Sequence, residues 1–282
     1  MRARLESALG AGSKPQASSW WSEAFVRVGT EGARAVAELL PALARRIGTA
    51  PLGGGLLEVP IHGRRAARAD LNAWRLADAA GFCLLERAEG GDPLLTELYS
   101  HGDLEERTIL LRAITLLPIN EGSLALLSEA LRSNVESHFA AAVCDSNLPA
   151  RAAEDERFGE AGFNRLILKA AFLGRPPAAL LQVETQANPE LSRMLQDLAT
   201  EREAAGRAVW PGTNLLIAFA PTEGSVARIV GGLEHGDDQQ RLAAAEGCLQ
   251  LNRADLKPFV SERLTREPRP AIRAVLQRIV KA

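Results

Sequence analysis

Cysteine, lysine and long apolar segments are all scarce in this chain of 282 residues. The three cysteines, Cys83, Cys144 and Cys248, are odd in number and far apart, which argues against a disulfide framework and indicates a reducing compartment. The longest apolar runs, such as residues 215–220, are far shorter than the ~20 residues that a membrane-spanning helix requires. Because the stretch after Arg4 is polar and lacks the apolar core of a signal peptide, the sequence predicts a cytoplasmic protein without a transmembrane segment.

An excess of charge of one sign is absent too. Lysine and arginine together number 33 against 35 aspartates and glutamates, and the formal net charge is −2. Lysine itself occurs only four times, so almost every cation is an arginine. This balance provides no basic field that would attract nucleic acid or anionic lipid, and the sequence therefore predicts no nucleic-acid partner.

The chain lacks the common metal and cofactor motifs. It has no Cys-x-x-Cys pair, no two of its four histidines are spaced i,i+4, and it has no glycine-rich phosphate-binding loop. We therefore expect no metal and no cofactor. Cys144 and His138 could be imagined as a nucleophile and its base, but their six-residue spacing places them on different sides of a helix. A cysteine at a helix end is the simpler interpretation.

What the chain does have is helical patterning, centred on residues 138–174. Read as a helix, the run 163–174 is apolar on nearly all sides and is interrupted only by Arg165 and Lys169. A helix of that kind is buried. Asn164 would then be a polar group in the interior, which must be hydrogen-bonded or costs about 1–3 kcal/mol. We expect this helix to lie at the middle of the body.

Several local patterns predict where helices begin, bend or end. Asp103, with a glutamate three residues later, has the form of a capping box. Asn188-Pro189 combines an N-cap residue with a proline in the first turn. Ser19 is a third candidate cap, and Pro41 predicts a kink or a break. These signals indicate separate helices of ordinary length along the whole chain.

The fold class that these patterns predict is all-α. No stretch shows sustained period-2 alternation. Residues 57–60 allow only a short extended segment, and a helix is expected from about Ala66 to Glu89, where Gly90–Gly91 ends it. In the last third, helix starts spaced by roughly 15 residues suggest HEAT-like pairs. Those starts are Thr222, Asp237, Asn252 and Pro268. We predict antiparallel helix pairs stacked as an irregular HEAT-like α-solenoid.

Three segments follow from the same patterns. Residues 1–55 form an N-terminal helical segment that ends in a glycine-rich linker. Residues 60–215 form a helical core, and residues 220–282 form the HEAT-like C-terminal helices.

One set of cations, amides and a carboxylate is a candidate binding site. Its members are Arg107, Asp145, Asn147, Arg151, Asn164, Lys169 and Arg193. On a concave surface this mixture would suit an anionic or polyhydroxylated small molecule. The alternative is an internal hydrogen-bond network that joins neighbouring helices. The sequence leaves both interpretations open.

Blocks of sequence in the middle of the chain resemble a known family. They are RTILLRA at 107–113, CDSNLPA at 144–150, FNRLILKAAFLG at 163–174, ANPELSRM at 187–194 and EREAAGR at 201–207. In this order they are similar to the EboA-domain family, whose members are accessory proteins of a bacterial metabolite-trafficking gene cluster.

The resemblance implies a helical protein of unknown activity that works with membrane-associated partners. The cluster partners it implies include a membrane prenyltransferase-like protein, a metal-dependent hydrolase-like protein, a sugar-isomerase-like barrel and a cyclase resembling dehydroquinate synthase. It also implies a small-molecule metabolite as a ligand and a peripheral position at the inner membrane. It transfers no catalytic residue to this chain.

Two functional hypotheses follow. The first is a non-enzymatic cytoplasmic adaptor or scaffold that holds cluster partners, or a prenylated or cyclitol-type metabolite, at the inner membrane face. The alternative is an enzyme acting on an anionic or polyol intermediate of the cyclitol or sugar-phosphate type, with Asp145, Lys169 and Arg107 around its pocket.

Overall fold

A computed structural model describes residues 1–11, 15–88 and 92–281, and most of these residues are helical. The chain divides into two compact units. The first unit comprises Met1–Gly162 and Ala178–Leu181, and the second comprises Phe163–Pro177 and Gln182–Ala282. No helix of the described residues is both long and apolar enough to cross a membrane.

The helices are mostly short, and several are separated by 3₁₀ turns. In chain order they are α1 (Arg2–Ala11), α2 (Pro15–Glu31), α3 (Ala33–Leu39), α4 (Leu43–Arg46), α5 (Leu76–Arg87), α6 (Asp92–His101), α7 (Leu104–Ile114), α8 (Glu121–Arg132), α9 (Glu136–Val143), α10 (Leu148–Ala153), α11 (Gly159–Phe172), α12 (Pro189–Ala204), α13 (Gly212–Leu216), α14 (Ser225–Gly232), α15 (Asp238–Leu251), α16 (Lys257–Arg266) and α17 (Pro270–Lys281).

The prediction of an all-α chain is wrong at one place. Strand β1 (Leu56–Val59) pairs with strand β2 (Ala67–Asp70) in a two-stranded antiparallel sheet. The helix expected from Ala66 therefore begins only at Leu76. Ala67 and Ala69 point inward and are fully buried. Burial alternates along β2, but its inward residues are alanines, which favour helices over strands. The sequence pattern therefore did not indicate a strand here.

The first unit is built on a close approach of two helices. Helix α5 packs against α7, and a Cβ atom added to Gly81 would lie only 2.3 Å from Cγ2 of Ile109. Glycine at this position therefore sets the separation of the two helix axes. In the second unit, α15 packs against α13, α14 and α17.

The apolar helix predicted at residues 163–174 is α11, and its burial is less complete than predicted. Phe163, Leu166, Ile167 and Ala170 are fully buried. Phe172, however, is 61% exposed. The prediction that the helix is buried nearly all round is therefore wrong at its C-terminal end, where one aromatic side chain faces solvent.

The local capping signals are largely confirmed. The carboxylate of Asp103 accepts hydrogen bonds from the backbone of Glu105 and Glu106, both at 2.8 Å. The side chain of Asn188 accepts from the N–H of Leu191 at 2.9 Å. Pro41 lies in a 3₁₀ turn that separates α3 from α4, as the predicted break requires.

Other helix boundaries differ from the predicted ones. Ser19 lies inside α2 and does not cap it. Asp237 caps α15 as expected, but Asn252, with a φ of 48°, ends that helix in a left-handed conformation and does not begin the next one. Helices α14, α16 and α17 begin at Ser225, Lys257 and Pro270. The helix end predicted at Gly90–Gly91 lies outside the described residues.

Candidate functional site

The polar loop between α9 and α10 is fixed by the backbone of the first unit. Asp145 has a φ of 57°, a left-handed conformation that few residues other than glycine adopt. Its N–H donates to the carbonyl of Ala179 at 2.6 Å, and its carbonyl accepts from the N–H of Asp70 at 2.7 Å. These bonds hold a strained residue in place, a situation that is common at functional sites.

Asn147 fastens this loop to strand β2. Its Oδ1 accepts from the backbone N–H of Arg68 at 2.8 Å, and its Nδ2 donates to the carbonyl of Ala66 at 2.9 Å. The backbone N–H of Asn147 also donates to the carbonyl of Arg68 at 3.0 Å. The amide is fully buried, so its hydrogen-bonding groups serve the loop and the sheet.

Two of the predicted site arginines bind backbone carbonyls near helix ends, where such groups have no partner within the helix. Arg151 donates to the carbonyl oxygens of Thr115 at 2.9 Å and Leu117 at 2.6 Å. Burial lowers the pKa of Arg151 to about 10. Arg107 donates to the carbonyls of Tyr99 at 2.9 Å and Ser100 at 3.1 Å. Both guanidinium groups therefore have structural partners in the first unit.

A third arginine, Arg112, was not among the predicted site residues. Its Nη1 lies 3.7 Å from Oδ2 of Asp145, which is an ion-pair distance but too long for a hydrogen bond. Its Nε and Nη1 atoms are buried and have no hydrogen-bond partner within the described residues. Burial lowers the pKa of Arg112 in spite of the nearby carboxylates of Asp78 and Asp145. The side chain thus keeps donor capacity beside the strained loop.

The carboxyl group of Asp145 is affected by the same environment. Burial raises its pKa, the positive charge of Arg112 opposes that shift, and the nearby carboxylate of Asp70 adds to it. Asp78, which is 1% exposed, is fully engaged with Arg75 through bonds of 2.7 and 3.0 Å. An acid beside an incompletely bonded guanidinium can bind an oxygen-rich group or exchange a proton with it.

The remaining predicted residues belong to the second unit. Asn164 and Asn188 form a reciprocal amide pair, with Nδ2-to-Oδ1 distances of 3.1 and 2.9 Å. The expectation that a buried Asn164 is hydrogen-bonded is thereby confirmed. Arg193 is exposed and pairs with Glu190 at 2.6 Å and Asp197 at 3.4 Å. For Lys169, partial burial lowers the pKa of the ammonium group.

The seven predicted residues thus do not all belong to one unit. Arg107, Asp145, Asn147 and Arg151 are in the first, and Asn164, Lys169 and Arg193 are in the second. The signal that could have identified Arg112 is its position in α7. It is surrounded in sequence by Ile109, Leu110, Leu111, Ala113 and Ile114, all of which are buried.

The cysteines do not have the environment of reactive thiols. Burial raises the pKa of Cys83 to about 12 and that of Cys248 to about 11, whereas nucleophilic cysteines need a lowered pKa. Cys144 is buried as well. His138 uses Nε2 for a 2.9 Å contact with the carbonyl of Leu104. Across the described part of the chain, no cluster of three or more ligating side chains could hold a metal ion.

Comparison with known proteins places the middle of the chain beside a described family. A family model described as metabolite traffic protein EboA matches residues 83–217. No curated protein and no solved structure matches the chain. The matched range contains the Asp145 loop, Arg112 and the Asn164–Asn188 pair. The resemblance seen in the sequence blocks is confirmed: residues 83–217 of this chain, the family segment, match the EboA family model.

Proposed function

We propose that this chain is a non-enzymatic helical adaptor in metabolite traffic. The observation that carries the proposal is the match of residues 83–217 to a family described as a metabolite traffic protein. The contacts of the polar residues support it. Asn147, Arg107 and Arg151 use their side chains to bind the backbone of the chain, which stabilises a rigid body more directly than it serves a reaction.

The adaptor would hold proteins of its gene cluster, including the membrane prenyltransferase-like protein, or their metabolite, at the inner membrane face. We propose a peripheral and not an embedded position. We also propose that the helices after residue 220 stack as HEAT-like antiparallel pairs, since surfaces of that kind are extended and suited to partners. The three segments inferred from the sequence, 1–55, 60–215 and 220–282, remain part of this proposal.

Pull-down of the tagged chain from a host that carries the whole cluster should recover at least one cluster protein. Phe172 offers a sharper variant, because an exposed aromatic residue within the family segment is a natural anchor for a partner. Phe172→Ser should reduce recovery by about tenfold or more, corresponding to the loss of one interface anchor.

Val26→Ser is the control, since Val26 is 67% exposed but lies in α2, outside residues 83–217 and outside the helices after residue 220. It should leave recovery unchanged. Consistent failure to recover any cluster protein with the unmodified chain would contradict the adaptor. If both variants recover the cluster protein equally well, the adaptor proposal stands and Phe172 is not a contact residue for the partner.

A second candidate function is an enzyme acting on an anionic or polyol intermediate. The observation that favours it is the pairing of Asp145, whose pKa is raised by burial, with Arg112, which has unsatisfied donors. An acid with a raised pKa is suited to proton transfer, and a guanidinium is suited to binding an oxygen-rich substrate.

Asp145→Asn tests this candidate with little disturbance of the fold. Asparagine also tolerates the left-handed conformation, but it cannot transfer a proton. An enzyme predicts accumulation of a defined intermediate in a strain carrying the variant, measured by metabolite profiling, while the abundance of the protein stays normal. Asp255→Asn, at an exposed position that pairs only with Arg253 within the described residues, is the control. A metabolite profile identical to that of the parent strain would exclude Asp145 as a catalytic residue.

A further inference from the structure

The second unit contains a polar cleft of about 520 Å³ that none of the predicted site residues lines. Residues of α12, α13, α14 and the start of α15 form its walls. Its volume is within the range of pockets that hold small molecules. The residues that matter for its chemistry are Gln196, Thr200, Asn214, Arg228, Gly231 and Gln240.

Asn214 is the most informative of these residues. It is 6% exposed, it lines the cleft, and within the described part of the chain its side-chain amide has no hydrogen-bond partner. Its amide atoms are not fully shielded from solvent, so they are open to a molecule that enters the cleft they line. A molecule in the cleft would supply the missing partner.

Two glycines make room for this asparagine. A Cβ atom at Gly232 would lie 2.5 Å from Nδ2 of Asn214, and one at Gly247 would lie 2.6 Å from its backbone carbonyl oxygen. Larger residues at either position would collide with Asn214. The helices α14 and α15 therefore approach α13 closely around the side chain of Asn214, to which the described part of the protein makes no hydrogen bond.

The two glutamines add hydrogen-bond acceptors. Gln240, which is also 6% exposed, donates from Nε2 to the carbonyl of Val209 at 2.6 Å. Gln196 donates from Nε2 to Oγ1 of Thr222 at 2.9 Å. In each case the NH₂ group is bound to the protein, so the Oε1 atom remains as an acceptor. With the Asn214 amide, the cleft offers a donor and three amide oxygens.

The charged residues of the cleft already have partners. Arg228 binds both carboxylate oxygens of Glu203, at 2.8 and 3.1 Å, and Oγ1 of Thr200 at 2.9 Å. Asp197 lies 3.4 Å from Arg193. An anion would have to compete with Glu203 for Arg228, and a cation would have to compete with the guanidinium groups for the carboxylates. The groups that remain open are neutral amides and Nε2 of His235, whose Nδ1 accepts from the backbone N–H of Asp237 at 3.0 Å.

We propose that this cleft binds a small uncharged polyol. A hydroxyl group both donates and accepts, so hydroxyls of one molecule can accept from Nδ2 of Asn214 and donate to Oε1 of Gln196 and Gln240. This site is separate from the Asp145 loop in sequence, and the proposal stands whether or not the chain acts as an adaptor.

The test measures binding of myo-inositol, glucose and mannitol to the full chain by saturation-transfer NMR and calorimetry. Glucose 6-phosphate and spermidine serve as the anionic and cationic comparisons. At least one uncharged polyol should bind, and Asn214→Ala should weaken that binding by roughly tenfold, the effect of losing one buried hydrogen bond. Since the amide has no protein partner, the variant should not lower the melting temperature.

Gly231→Leu provides an independent variant that does not alter the amides. A Cβ atom at Gly231 meets no atom within 4 Å, so the leucine side chain can enter the cleft and should abolish binding. Gly10→Leu is its control, because Gly10 is also helical with open space at Cβ but lies in the first unit. The proposal is overturned if no polyol binds, if only a charged probe binds, or if Gly231→Leu binds as tightly as the parent chain.

Discussion

Replacing Glu267 by glutamine is expected to lower the free energy of unfolding by about 3–5 kcal/mol, the cost of leaving buried charge without its partner. The Glu267 side chain is fully buried. Its Oε2 accepts from Nε of Arg241 at 3.0 Å and from Nη2 of Arg263 at 2.7 Å, and its Oε1 accepts from the backbone N–H of Arg269 at 2.9 Å. Glutamine keeps the shape but removes the buried counter-charge that Arg241 and Arg263 share, leaving them only the more exposed carboxylates of Asp238 and Glu234. It also places an NH₂ group against donors.

The same contacts predict a pH dependence. Burial raises the pKa of Glu267, but hydrogen bonds from Arg241, the Arg269 backbone and Arg263 outweigh burial and lower the pKa to about 2. The unfolded chain, with a glutamate pKa of about 4.3, therefore binds this proton before the folded chain does. The stabilisation is complete above the unfolded pKa and is lost as the pH falls towards about 2.

Urea denaturation at pH 7, 4 and 3 measures both effects. The parent chain should lose stability between pH 7 and pH 3, and Glu267→Gln should lack the share of that loss that comes from Glu267. Glu262→Gln is the control, because Glu262 has a side chain that is 70% exposed and pairs with Arg266 at the surface. Its effect should stay within about 0.5 kcal/mol. Similar effects of the two variants would contradict a stabilising role for the buried cluster.

The buried cluster of Glu267, Arg241 and Arg263 could not be predicted from the sequence. Arg241 and Glu267 are 26 residues apart, and no local pattern connects them. Capping residues such as Asp103 and Asn188 were predictable because a cap bonds to backbone groups two or three residues further on. Strand β2 was not predictable because its partner is β1, and its inward residues, Ala67 and Ala69, are common in helices.

The residues of the candidate site were likewise only partly predictable from the sequence. The sequence identified Asp145 and Asn147 as notable because they form a polar loop between apolar runs. It could not identify Arg112 or Asn214 as notable, since the property that distinguishes them is a hydrogen bond that is missing from the fold. Whether a polar side chain has a partner depends on atoms from distant parts of the chain, and composition and periodicity carry no information about that.

Asn188→Ala should be the more damaging of two related substitutions, with a loss of about 2–4 kcal/mol. Its side chain has two roles, since it caps α12 at Leu191 and pairs with Asn164. Loss of the cap accounts for about 1 kcal/mol, and an unpaired buried Asn164 accounts for about 1–3 kcal/mol. Asn164→Ala should cost less, because Asn188 still caps Leu191 and still donates to the carbonyl of Gln186 at 3.2 Å.

The double variant distinguishes the pair from two separate effects. If the two amides act as a unit, the loss of stability in the double variant should fall short of the sum of the single losses by about 0.5 kcal/mol or more. Independent residues would give additive losses.

Asn164→Ala also separates the two interpretations of the candidate residues, an internal hydrogen-bond network and a ligand site. A structural network predicts a lower melting temperature. It also predicts that any change in the metabolite profile is accounted for by the lower abundance of the protein. A ligand site predicts the phenotype at an unchanged melting temperature. Because both amides are fully engaged with each other and with the start of α12, we expect the first result.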